Sequence, residues 1–232
     1  MKKNTFNTNF SRSFNKRYIR LKKKFKKTGW LAHHGIERSG SNYLRACLND
    51  LGVDLVNKFD VNEGVPGHKH YRWYKDKKSI PLFRFQFRNS TIVRNVEELN
   101  SSSNFNPGTS HIVIKKDCYK AISSIANYFL RNGLFISVQE AEDNLTSIQC
   151  DYKNYYDFWN ELSVNHPDQI KVISYEELSN NALVLKTALD DLKINYSKSF
   201  PENFIFTEVE KSPIKRKNFL SEQSVKDLLL GK

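Results

Sequence analysis

The chain has 232 residues, 39% of them hydrophobic and 13% aromatic, and a formal net charge of +12. That suffices for one α/β domain with a substantial core plus a tail, and is short for two domains of the usual ~100–200 residues. No window approaches the ~18 uninterrupted apolar residues of a membrane span, and the separated Cys47, Cys118 and Cys150 form neither a disulfide framework nor a zinc pattern, which favours a reducing cytoplasm.

The charge is concentrated at one end. Residues 1–28 hold eleven Lys/Arg and no Asp/Glu, so without them the balance falls to +1. This stretch lacks the apolar segment of a secretory signal and reads as a basic tail ahead of a domain over residues 29–232. Phe14, Tyr18, Leu21 and Phe25 recur at helical spacing, so residues 12–26 suit a basic amphipathic helix lying on an anionic membrane, on RNA or on the domain itself. Nothing in it points to specific DNA.

From Gly29 onward, short apolar runs alternate with amphipathic stretches, which predicts strands alternating with helices around a mostly parallel sheet. Trp30 to Ile36 reads as the first strand and Ser41 to Leu51 as a helix closed by Gly52. Between Asn57 and Asn106 periodicity is poor, and Pro66-Gly67 and Pro81 break the chain. His111 to Lys115 reads as a second buried strand, Tyr119 to Arg131 as a helix ending at Asn132-Gly133, and Tyr155 to Asn165 as a helix before Pro167. Ile170 to Tyr175 reads as a further strand, followed by a helix from about Glu177 to Leu192, and Ser221 to Leu230 as a last helix.

A Gly-bearing turn between a buried strand and a helix surrounds an anion with backbone N–H groups and the positive helix end. Gly35-Ile36-Glu37-Arg38-Ser39-Gly40-Ser41-Asn42 has that context. A nucleoside triphosphatase needs GxxxxGK[ST], with lysine on the β/γ-phosphates and the next hydroxyl on Mg²⁺. Gly35 and Gly40 keep the spacing, but Ser41-Asn42 stands where Lys-Ser/Thr should be, which disfavours a magnesium-dependent kinase or nucleotide hydrolase with a degenerate Walker motif. The cation has moved to Arg38.

Arg38-Ser39-Gly40-Ser41-Asn42-Tyr43 resembles the (K/R)-S-G-T-T-W loop of the PAPS-dependent sulfotransferases. The resemblance implies an α/β three-layer sandwich with a mostly parallel central sheet, the P-loop NTPase-like sulfotransferase fold. It implies that PAPS is the donor, PAP the product, and no metal is needed. Arg38, Ser39, Gly40, Ser41 and Asn42 would grip the 5′-phosphosulfate, with Tyr43 against the adenine. Asn42 departs from the family's threonine.

A second family signature, R-D-P-Y-x-x-x-x-S, is similar to Lys116-Asp117-Cys118-Tyr119 with Ser124, where Lys116 and Ser124 would hold the 3′-phosphate. Lysine offers a point charge where arginine offers a fork, and Cys118 replaces proline. A register pairing Lys115 with Ser123 is the alternative, which misaligns Asp117 and Tyr119. Val172-Ile173-Ser174-Tyr175-Glu176-Glu177-Leu178 resembles the family's late strand ending in Y-E-D-L, with Tyr175 near the adenine; by itself it reads as a helix start with acids in the first turn. Arg216 and Lys217 sit where the family has a basic loop over the 3′-phosphate. The resemblance spans about residues 30–192.

Sulfuryl transfer needs a base for the acceptor proton, and histidine titrates near working pH. Gly67-His68-Lys69-His70 lies between the two phosphate signatures and is similar to a K-H element of some members, which implies His70 as base, His68 second, Lys69 as a helper cation and Glu63 as a carboxylate alternative. His33 and His34, on the first strand, read as packing or sheet-end residues. Trp73, Tyr74, Phe83, Phe85 and Phe87 could line a pocket for an acceptor alcohol or amine, such as a glycan or a small molecule, or be plain core. The expectation is a cytoplasmic sulfotransferase. A non-enzymatic RNA- or membrane-binding protein acting through residues 1–28 is the remaining alternative class.

Overall fold

A computed structural model describes residues 29–57, 70–71 (backbone only), 95–103, 105–204 and 218–231. Its centre is a parallel sheet of β1 (Leu31–Ile36), β2 (His70–Tyr71), β3 (Ser110–Lys115) and β4 (Ile170–Ser174) in the order β2-β1-β3-β4. Leu31 pairs with Ser110 and His34 with Val113, while His111 pairs with Ile170 and Lys115 with Ser174.

The helices among the described residues are α1 (Ser41–Asp50), α2 (Val96–Ser102), α3 (Cys118–Arg131), α4 (Val138–Asp143), α5 (Leu145–Asn165), α6 (Tyr175–Asn180), α7 (Leu183–Asp191) and α8 (Glu222–Leu230). Successive side chains of a strand point to opposite faces, and β3 shows what that does here. Ile112 and Ile114 pack with Leu44 and Leu48 of α1 and Leu185 and Leu189 of α7. Val113 packs on the other face with Ile122 and Ile125 of α3, Trp159 of α5 and Val225 of α8. Both faces of the sheet are therefore covered by helices, which is why its strands read as near-continuous apolar runs.

Several elements differ from the sequence reading. The helix before Pro167 begins at Leu145 and not at Tyr155, because Ile148, Tyr152, Tyr155, Tyr156, Trp159 and Leu162 form one buried stripe along it. The helix expected over Glu177 to Leu192 is two helices. Asn181 between them is extended, and its side-chain oxygen accepts from the Leu183 N–H at 2.9 Å, restarting the chain as α7. Within the stretch of poor periodicity lies α2, seven residues long and capped by the Asn95 side chain, which accepts from the Glu98 N–H. Seven residues are too few for a periodic signal.

The strand order reverses between β1 and β3: the chain leaves β1 for β2 on one side and reaches β3 on the other. In open parallel sheets the crevice at such a switch point, beyond the carboxyl ends of the strands, is where ligands bind. The segments that border it here are residues 37–40 after β1 and Lys116-Asp117 after β3.

Candidate anion and nucleotide site

The turn after β1 is built by local hydrogen bonds. Ile36 carbonyl accepts from the Ser39 N–H at 3.1 Å and from the Ser39 hydroxyl at 2.7 Å. Closing so tightly puts Arg38 at φ 71 and Gly40 at φ 94. Arginine in the left-handed region stores strain, a feature that clusters at binding sites. Gly35 and Gly40 are required by close approach: a Cβ on Gly35 would lie 2.6 Å from the Ser39 hydroxyl, and one on Gly40 2.2 Å from the Tyr175 ring. Gly40 is the N-cap of α1 and supplies no side-chain cap. The first-turn N–H groups of a helix have no intrahelical partner and carry the positive end of its dipole, so they favour an anion over the turn.

Arg38 reaches from this turn towards α3. Its guanidinium carbon sits 5.2 Å from the centroid of Tyr128, and its Nε is buried and makes no hydrogen bond among the described residues. An unpaired buried donor is costly unless something accepts from it. Ser124, half-buried, lies one helical turn before Tyr128 and so shares the side of α3 that Arg38 faces. Ser123 is engaged elsewhere: its hydroxyl donates to the Leu220 carbonyl at 2.9 Å. Lys115 points its ammonium at Tyr156, 5.6 Å from the ring centroid.

Lys116 places its ammonium 5.4 Å from the centroid of Tyr175. Burial pushes it below the ordinary lysine value; Glu176 opposes this, while the neighbouring charges of Arg38 and Lys120 add to it. Tyr175 in turn meets Tyr43 edge to face, with centroids 5.8 Å apart. Burial raises the Tyr43 phenol to about 12. The structure thus brings Arg38, Gly40, Tyr43, Lys116 and Tyr175 to one corner of the sheet. Ser39 and Ser41 are buried beneath it and Asn42 is exposed beside it.

Asp117 and Ser174 have a plain local role. Asp117 caps α3, its carboxylate accepting from the Lys120 N–H at 3.0 Å, so Cys118 occupies the first helical position. Ser174 caps α6 by accepting from the Glu177 N–H at 3.2 Å, and the Tyr175-Glu176-Glu177 string is a helix start with acids in its first turn.

Two tyrosines that the motifs did not single out hold the corner together from α5. Tyr152 donates to the Lys116 carbonyl at 2.5 Å, and Tyr156 donates to the Ile114 carbonyl at 2.8 Å. The Ser39 side chain and the Ile36 backbone also act on the Tyr156 phenol, which therefore stands between the end of β3 and the turn after β1. Burial raises both phenols well above the ordinary tyrosine value. The available signal was their place in the α5 stripe, where aromatics at positions i and i+4 read simply as core.

His70 is placed by its backbone at the crevice: in β2 it pairs with Gly35, at the start of the loop. His68, Lys69, Glu63, Arg216, Lys217, Trp73, Tyr74, Phe83, Phe85, Phe87 and the tail 1–28 lie outside the described residues. His33 and His34 are fully buried in the sheet, as packing residues are.

Beside Lys116, along the ends of β3 and β4, a cavity of about 860 Å³ is lined by residues including Lys120, Lys153, Tyr152 and Glu176. Among the described residues no cluster of three His, Cys, Asp or Glu side chains could hold a metal ion, and no helix is long and apolar enough to cross a membrane. No family model, no curated protein and no solved structure matches the chain.

Proposed function

We propose that the protein is a sulfotransferase that moves a sulfuryl group from PAPS to a hydroxyl or amine of an acceptor, a carbohydrate or a small molecule. The observation that carries the reading is the meeting of three segments far apart in sequence. Arg38 and Gly40 from the first loop, Lys116 from the second and Tyr175 from the third converge beyond the carboxyl ends of β1 and β3.

Each residue then has a task that its chemistry suits. The N–H groups opening α1, with Arg38 and Ser41, hold the 5′-phosphosulfate, Ser39 contributes by closing the turn on the Ile36 carbonyl, and Asn42 donates through its amide from the exposed side. The buried Nε of Arg38, which makes no hydrogen bond among the described residues, fits a donor reserved for a ligand oxygen. Lys116 and Ser124 hold the 3′-phosphate as a point charge and a hydroxyl. Tyr43 and Tyr175 offer aromatic surface to the adenine. Arg216 and Lys217 supply further charge to the 3′-phosphate.

Transfer forms a bond from acceptor oxygen or nitrogen to sulfur and breaks the bond from sulfur to the bridging oxygen, whose electrons leave with PAP. The acceptor proton goes to a base, for which His70 stands first by its backbone place beside Gly35, with His68 as the second candidate and Lys69 as an added cation. Arg38 meets the charge that grows on the leaving oxygen.

The test is a thermal-shift titration with PAP, ATP, and ATP plus Mg²⁺, because a ligand bound only by the native state raises apparent stability. PAP alone should stabilise the protein without added metal, and Arg38→Ala should abolish the shift. Stabilisation by ATP only with Mg²⁺, or none by PAP at saturating concentration, would sink the proposal.

A further inference from the structure

Glu176 follows Tyr175 in the first turn of α6 and reaches across to the start of α3. Both its carboxylate oxygens lie 3.3 Å from the Asp117 backbone nitrogen, and one lies 3.5 Å from the Ser174 hydroxyl. That N–H belongs to the N-cap of a 14-residue helix and directly follows Lys116. A carboxylate therefore already sits where the second-phosphate cation and a backbone donor meet. Its hold is loose: one N–H shared between two oxygens at that distance is weaker than a single bond at ~2.9 Å.

The surroundings give this carboxylate somewhere else to go. Glu176 lines the cavity of about 860 Å³ beside Lys116, and exposed Lys120 and Lys153 line the same cavity. Rotation of this half-exposed glutamate about its side-chain bonds would turn its carboxylate from the Asp117 N–H into that cavity.

We propose that Glu176 is an internal competitor for the second phosphate: it occupies the Asp117 N–H beside Lys116, yields it to the ligand's phosphate, and so sets the selectivity for nucleotides that carry that phosphate. The inference rests on the two-phosphate reading of the site above. It makes Glu176 a specificity-determining residue that acts by charge and by occupying a donor.

Calorimetric titration of the full chain and its Glu176→Gln and Glu177→Gln variants with PAP, adenosine 5′-phosphate and inorganic phosphate tests this. Glutamine keeps the shape and the carbonyl acceptor while removing the charge. Glu177 lines the same cavity and controls for a general charge effect. Glu176→Gln should bind PAP about tenfold more tightly than the unmodified protein. Adenosine 5′-phosphate, which lacks the second phosphate, should bind unchanged, and Glu177→Gln should match the parent throughout. Equal or weaker PAP binding by Glu176→Gln, or the same gain for adenosine 5′-phosphate, overturns the proposal. If PAP binds neither protein, the two-phosphate reading has failed, and inorganic phosphate decides about Glu176 alone. Tighter phosphate binding by Glu176→Gln then upholds the competition, and equal or absent binding overturns it.

Discussion

Gly40 and Tyr175 are in contact such that a single methyl group on Gly40 would stand 2.2 Å from the tyrosine ring. The glycine also has φ 94, a conformation that L-residues avoid. Gly40→Ala is therefore expected to cost about 2 kcal/mol or more in stability and to push Tyr175 away from Lys116. Denaturant unfolding together with PAP titration checks this. A Gly40→Ala protein with parental stability and parental PAP affinity would show that the contact is not tight.

Tyr156 links the two halves of the site through its hydroxyl, with the Ile114 carbonyl 2.8 Å away and the Ser39 side chain beside the phenol. Tyr156→Phe keeps the ring in the core and removes only that link. The expected stability cost is about 1 kcal/mol, and PAP affinity should fall several-fold as Ser39 and the end of β3 lose their common anchor. Tyr155→Phe, in the same helix and equally buried, is the comparison. If both variants lower stability alike and neither changes PAP affinity, the role of Tyr156 is packing alone.

Asn127 carries the connection into α8. Its side-chain oxygen accepts from the Phe219 and Leu220 N–H groups at 2.6 and 3.1 Å, and its amide donates to the Leu220 carbonyl at 2.6 Å and the Ser123 carbonyl at 2.8 Å. The residue is buried, so truncation strands several backbone groups at once. Asn127→Ala should cost about 2–4 kcal/mol, read as a lower denaturation midpoint at unchanged slope. A cost below about 1 kcal/mol would mean that water replaces the amide freely.

The histidines of the sheet set an acid limit on stability. Asn100 donates its amide to the Thr109 carbonyl, which turns its oxygen to His111 Nε2 at 3.0 Å. Nε2 of His111 must then carry the proton, leaving Nδ1 to accept from His34 Nε2 at 3.0 Å. His111 is neutral in this chain of bonds, and both rings lie against Trp159. Burial, followed by the His34 charge, holds His111 well below the ordinary histidine value of 6.5. The unfolded chain therefore binds the proton first as pH falls. The stability that neutral His111 contributes is complete above pH 6.5 and declines below it, by up to about 1.4 kcal/mol per pH unit. Equilibrium unfolding between pH 7.5 and 5 measures the slope. His111→Asn should flatten it, and an unchanged slope in that variant would assign the acid sensitivity to another group.

How much of this could be read beforehand depended on how local the cause was. The strand–turn–helix around Gly35 to Tyr43 was legible because buried runs, glycines and a helical stripe all lie within one short window. The same holds for β3 and α3. The start of α5 was missed because Leu145, Ile148 and Tyr152 are separated by polar residues whose solvent-facing role shows only once the helix is docked. The bond from Ser123 to Leu220, across more than ninety residues, is a tertiary contact that no spacing rule contains.

The sequence by itself determined the alternation of strands and helices, the turn chemistry after β1 and the caps at Asp117 and Ser174, since each follows from a few neighbouring side chains and the backbone they can satisfy. Tertiary structure alone decided that Lys116 lies over Tyr175, that Tyr175 covers Gly40, and that Tyr156 joins Ser39 to Ile114. Those contacts depend on strand order, which brings β1 and β3 side by side and carries the ends of distant segments to one crevice.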